Sequence, residues 1–244
     1  MSRTRLQGSG PAESMGDVPG TLYLGSGSAA DETPLWRLMF HRPTTRVVYW
    51  PFALPAEMLA SAEGWLRTHL DLLGVGYQLD TWQSLGDHAP SELDTAQVDL
   101  LFVGGGNTFR LLDQVRRCGF VESVRRFWNS GGDYYGGSAG ALLACDSIEI
   151  AEGHDHNEPG LRDLTALGLL PDVAVLPHFT DDQLGEATEW SASRDTVVIG
   201  LPESVGLWWR EQTATVVGAG TLTRIRDGVG EHVASGTTFE IAPR

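Results

Sequence analysis

Asp133-Tyr134-Tyr135-Gly136-Gly137-Ser138-Ala139-Gly140-Ala141-Leu142-Leu143-Ala144-Cys145 is the stretch on which the chain turns. It passes from a β-prone pair of tyrosines through two glycines to one serine, then into small and helix-forming residues. Gly136-x-Ser138-x-Gly140 has the form of a nucleophile elbow, a strand reversing sharply into a helix with the serine at the bend. The glycines answer a steric need, because a side chain two positions to either side of the serine would collide with the turn. The NH of Ala139 then lies at the helix start, beside an oxyanion formed at Ser138. On pattern alone a second reading stands next to this one: a glycine-rich turn that packs a helix closely on a sheet. The rest of the chain has to decide.

On either side of this stretch, strand-like and helix-like segments alternate. Thr21–Leu24, Arg46–Trp50, Tyr77–Trp82 and Val98–Val103 read as strands before the elbow. Met58, Leu59, Ala62, Trp65, Leu66 and Leu70 have helical spacing over 56–73, ended by Gly74 and Gly76. Helices follow Gly104-Gly105-Gly106-Asn107-Thr108 and span about 120–129. Past the elbow, 173–175 and Thr196–Leu201 read as strands, and the tail beyond 206 as antiparallel hairpins. This order predicts an α/β fold with a doubly wound, mostly parallel sheet flanked by helices and a C-terminal β-hairpin extension. Residues 1–19, rich in Ser, Gly and Pro, are expected to form a disordered leader, and 20–244 a single domain.

Composition narrows the function. The 244 residues carry a formal net charge of −15, and all 17 basic residues are arginine. An acidic chain without a basic cluster is a poor match for nucleic acid or anionic membranes. Cys118 and Cys145 make neither a disulfide framework nor a metal site. No apolar run approaches a membrane span, and the first residues lack a signal-peptide hydrophobic region, so a cytoplasmic protein is expected. His154 and His156, around Asp155, read as a solvated turn rather than a metal site. No metal and no cofactor are expected.

Four loops fall at the carboxyl ends of expected parallel strands: 104–108, 136–140, 177–180 and 202–204. That edge of an open α/β sheet is where ligands bind. The loops supply the groups of acyl transfer: Ser138 as nucleophile, His178 as base and then acid, and Glu203 to orient the imidazole. The NH groups of Gly106 and Ala139 are the expected oxyanion donors, with Gly105 and Asn107 beside them. Each has a plainer reading: a satisfied loop histidine, a solvated glutamate, or a glycine loop cradling a phosphate. The glycine loop lacks the Lys-Ser/Thr ending of a P-loop.

Taken together the motifs are more specific. Val103-Gly104-Gly105-Gly106-Asn107-Thr108-Phe109, Gly137-Ser138-Ala139-Gly140-Ala141, Pro177-His178-Phe179-Thr180 and Ile199-Gly200-Leu201-Pro202-Glu203 resemble, in that order, the peptidase E (aspartyl dipeptidase) family, over about residues 21–220. The resemblance implies a serine hydrolase of glutamine-amidotransferase-like fold, related to cyanophycinases, acting on dipeptides or short peptides. Ser138, His178 and Glu203 match the family's nucleophile, histidine and glutamate. The family also has an important aspartate between serine and histidine, which Asp155 matches best. Asp155 and Glu203 both remain candidates for the triad acid. A small peptide is the implied partner, and a homodimer is left open.

Two departures bear on substrate. The family usually shows Gly-Trp-Ser-Ala-Gly, and here Gly137 stands in place of the tryptophan. The segment after the family histidine normally carries basic residues; residues 179–193 have none, but contain Asp181, Asp182, Glu186 and Glu189. An acidic lip there would disfavour Asp-X dipeptides. Two other functions fit parts of the pattern. An α/β-hydrolase-like esterase would pair Ser138 with Asp195 and His232. A non-catalytic domain of glutamine-amidotransferase type would only bind a ligand.

Overall fold

The computed structural model describes residues 18–240, so the expected leader lies outside the described residues except for Val18 and Pro19. Five strands run parallel in the order β1-β5-β4-β2-β3: β1 (Leu22–Gly25), β2 (Thr45–Trp50), β3 (Tyr77–Thr81), β4 (Leu100–Val103) and β5 (Asp133–Gly137). Their alternation sorts side chains between two faces. Tyr23, Val47, Tyr49, Leu100, Phe102 and Tyr135 join a core with α1 (Thr33–Met39) and α2 (Ala56–Leu73). Leu22, Leu24, Val48, Trp50, Leu101, Val103 and Tyr134 join the larger core with α3 (Thr108–Arg117), α4 (Val121–Asn129) and α5 (Ala139–Ala144). Helices on both faces make the sheet doubly wound, as the strand and helix order predicts.

The tail divides between two sheets. β8 (Val205–Arg210) pairs antiparallel with β1, and β9 (Thr213–Gly218) and β12 (Thr238–Glu240) continue outward, giving eight strands in all. β6 (Val173–Pro177) and β7 (Val197–Leu201) pair parallel with each other and form a four-stranded sheet with the antiparallel β10 (Thr221–Arg226) and β11 (Val229–Ala234). The sequence pattern would have β6 and β7 continue the main sheet. They do not: β8 pairs with the edge of β1, and β6 and β7 pair with each other in a separate sheet. Val175 and Ile199 instead enter the larger core from their own sheet.

Two helices escape the periodicity argument. α1 is short, and α6 (Leu184–Arg194) buries only Ala187 and Ser191, so its apolar face leaves almost no pattern. Among the described residues no helix is long and apolar enough to cross a membrane.

Candidate active site

The bend after β5 is the strained turn that its glycines allow. Ser138 sits at φ 51°, ψ −112°, a region non-glycine residues rarely occupy. A Cβ on Gly136 would come within 2.4 Å of the Gly140 carbonyl oxygen, and one on Gly140 within 2.5 Å of the Val103 carbonyl oxygen. The Ser138 NH donates to the Gly25 carbonyl at 2.8 Å, which seats the bend on the end of β1.

His178 follows β6 and also has positive φ, at 56°. Its Nε2 lies 2.8 Å from Ser138 Oγ, and its Nδ1 is hydrogen-bonded to Glu203 Oε1. A carboxylate only accepts, so this contact puts the ring proton on Nδ1 and leaves Nε2 to accept from the serine hydroxyl. Half of each side chain faces water, 51% of His178 and 50% of Glu203, so solvent screens the pair. Behind His178, the Phe179 ring occupies the space that a Cβ on Gly200 would need, 2.6 Å from the ring.

Ser26 joins the two sheets at this point, a role its Gly25-Ser26-Gly27-Ser28 context did not signal. Its hydroxyl, 1% exposed as a residue, donates to the Leu201 carbonyl at 2.7 Å and accepts from the His178 NH at 3.1 Å. Beneath the same loop lies Glu32, buried against Gly27 NH at 2.6 Å, Tyr135 Oη at 2.6 Å and Trp36 Nε1 at 3.2 Å. Burial pushes its carboxyl above the usual range, and those three donors oppose the shift. One of two adjacent acidic residues, Asp31 and Glu32, after a run of small residues gives no sequence signal for such a role.

The glycine loop after β4 passes close to the serine. A Cβ on Gly105 would lie 3.0 Å from Ser138 Cβ, and Gly106 has φ 135° with its missing Cβ 2.2 Å from the Ala53 carbonyl oxygen. Neither the Gly106 NH nor the Ala139 NH donates to a backbone carbonyl among the described residues. Asn107 is engaged structurally: Oδ1 accepts from Arg110 NH at 2.8 Å, capping α3, and Nδ2 donates to the His156 carbonyl at 2.9 Å.

Asp155 and Glu203 have different partners. Asp155 Oδ2 accepts from Thr108 NH at 2.8 Å, at the start of α3, and not from His178. It lines a cavity of about 400 Å³ with His154, Leu142, Gln183, Ser138 and His178. A second cavity, of about 340 Å³, opens from Ser138 and His178 toward α2. The expected acidic lip is instead largely α6 and the turn before it, and none of Asp181, Asp182, Glu186 and Glu189 lines either cavity. His232 lies in β11, bonded to Thr223 Oγ1 at 3.2 Å, and Asp195 caps α6, so the imidazole beside Ser138 is that of His178. Cys145 is fully buried, its thiol pushed up to about 12 by burial, as suits a small core residue.

Residues 24–217 match the model of peptidase family S51. The chain belongs to this family. Its relatives include peptidase E of Actinobacillus pleuropneumoniae serotype 7, 33% identical over 67% of this chain and 80% of the relative. Peptidase E of Shewanella amazonensis is 32% identical over 64% of this chain and 65% of the relative. An uncharacterised peptidase of Pasteurella multocida is 36% identical over 38% of this chain and 46% of the relative. The chain thus spans from about half to two thirds of the length of the last two. Among solved structures, a Listeria monocytogenes protein described as a candidate peptidase E superposes with a TM-score of 0.66 at 23% identity, covering 82% of this chain and 98% of that one. A peptidase from an acI-B1 actinobacterium gives 0.64 at 19% identity, covering 93% and 98%. These structures share the S51 chain's fold of mixed sheet and flanking helices.

Proposed function

We propose that this S51 chain is a serine peptidase that cleaves dipeptides or short peptides through an acyl-enzyme on Ser138. The observation that carries the reading is the hydrogen-bonded series Ser138 Oγ to His178 Nε2, and His178 Nδ1 to Glu203 Oε1. Ser138 Oγ attacks the scissile carbonyl carbon as its proton passes to His178 Nε2, and the carbonyl π pair moves onto oxygen. The NH groups of Gly106 and Ala139 receive that oxyanion. Collapse breaks the C–N bond, and the proton on Nε2 goes to the leaving amine. Water then attacks the ester carbonyl, giving a proton to His178, and Ser138 leaves with that proton restored. Glu203 holds the ring tautomer and stabilises the imidazolium. Asp155 is the carboxylate available to a peptide's ammonium group. Asn107 acts indirectly, by fixing the loop that carries Gly106.

The test is turnover of a dipeptide panel by the full chain, with Ser138→Ala as control. The variant is expected to lose about 10⁴–10⁶ in kcat while keeping its fold. Near-wild-type turnover in Ser138→Ala would remove the nucleophile assignment.

A further inference from the structure

The cavity between α2 and the carboxyl ends of β2, β4 and β5 differs in chemistry from the rest of the site. Its floor is aromatic: Tyr49, Phe102 and Tyr135, each only 1–2% exposed, stand side by side, with ring centroids 5.4 Å apart for Tyr49–Phe102 and 4.2 Å apart for Phe102–Tyr135. From the other side α2 presents Met58 and Trp65, about two turns apart on one face. Both are exposed, 48% and 39%, and both line this cavity, so they add apolar surface to its rim. Among the described residues, apart from His178, no ionisable group other than these tyrosines lines the cavity; Glu32 is held by its three donors, Tyr135 among them.

Gly137 opens this space beside the nucleophile. A Cβ there would come within 2.9 Å of Tyr135 Oη and 3.1 Å of Gly27 Cα, so a large side chain cannot occupy that corner with Tyr135 in place. The cavity of about 340 Å³ has the size of a small-ligand pocket, and Ser138 and His178 are among its lining residues.

We infer that this cavity receives the side chain of the residue whose carbonyl Ser138 attacks, and that this side chain is apolar, with aromatic rings preferred. The inference rests on the reading of Ser138 as nucleophile. A carboxylate or guanidinium placed here would leave water for a site with no opposite charge to meet it, at a cost that neutral side chains avoid. An aromatic ring entering the cavity rests on this packed aromatic floor and meets the exposed Trp65 and Met58 of α2.

The experiment uses the full chain and measures kcat/KM for Phe-Leu, Leu-Leu, Asp-Leu and Arg-Leu, alongside covalent labelling of Ser138 by a fluorophosphonate. Phe-Leu and Leu-Leu are expected to exceed both charged substrates by about 100-fold or more, with Phe-Leu first. Met58→Arg, on the exposed rim, is expected to lower Phe-Leu turnover and raise that of Asp-Leu. A chain that labels at Ser138 yet cleaves Asp-Leu or Arg-Leu at least as well as Phe-Leu overturns the pocket assignment and leaves the nucleophile standing. A folded chain that neither labels nor cleaves overturns both.

Discussion

The Ser26 hydroxyl lies 3.1 Å from the backbone nitrogen of His178, across the seam between the two sheets. The same oxygen donates to Leu201, at the end of β7 and two residues before Glu203. Ser138 in turn hangs from Gly25. The loop after β1 therefore ties together the segments that carry Ser138, His178 and Glu203, although it supplies none of them.

Ser26→Ala removes this tie and leaves the His178 NH without its acceptor. We expect kcat to fall about 10- to 100-fold with KM little changed, since a small misplacement of a catalytic group is costly. Stability should drop by about 1–3 kcal/mol. Kinetics with urea unfolding on the same preparation checks both, and Ser26→Thr, which keeps the hydroxyl, should recover much of the activity. Equal activity in Ser26→Ala would show that His178 is positioned by β6 alone.

Glu203→Gln should cost more activity than Asp155→Asn. Glu203 contacts His178 and fixes its tautomer, whereas Asp155 contacts a helix start. A loss of about 10²–10⁴ in kcat is expected for Glu203→Gln, the smaller values reflecting the half-exposed pair. Asp155→Asn should act mainly on KM for substrates with a free ammonium group. Steady-state kinetics on free and N-acetylated peptides separates the two effects. A larger kcat loss in Asp155→Asn would transfer the acid's role to it.

Gly106→Ala should damage the loop that carries the proposed oxyanion donor. Alanine there would have to hold φ near 135° with its Cβ 2.2 Å from the Ala53 carbonyl oxygen, so the loop must move. Losing one well-placed donor costs about 10²–10³ in kcat. Activity in a variant whose circular dichroism matches wild type is the measurement, and unchanged kcat would exclude Gly106 as a donor.

Glu32→Gln should lower stability by about 1–3 kcal/mol. Three donors converge on the carboxylate, and an amide must turn its own NH2 toward one of them. Thermal unfolding reads this, and an unchanged Tm would mean that Glu32 is protonated and already a donor.

Much of this site could be read from residue order. The histidine after Pro177 and the glutamate after Pro202 each follow a β-branched, apolar strand, and the elbow declares itself by its glycine spacing after Tyr134-Tyr135, so their loops are placed by the pattern itself. α2 shows its helical spacing and ends at Gly74, whose φ is 72°. The pattern failed where an element's partners are set at long range. Nothing local tells β6 and β7 that β8 will take the edge of β1, and nothing in Gly25-Ser26-Gly27 tells that a hydroxyl will bridge to residues 152 and 175 positions away. The acidic run after His178 is legible as charge but not as helix; its carboxylates lie on α6 and the turn before it, while the exposed Met58 and Trp65 of α2 line the pocket.

The central claim is that His178 activates Ser138 for covalent attack. Fluorophosphonate labelling followed by peptide mass mapping tests it most directly. The account predicts one phosphonyl group on Ser138 of the wild type, none on Ser138→Ala, and labelling slowed by at least about 100-fold in His178→Ala. Folded wild-type protein that takes up no label, or a Ser138→Ala variant that labels as well as wild type, would contradict it.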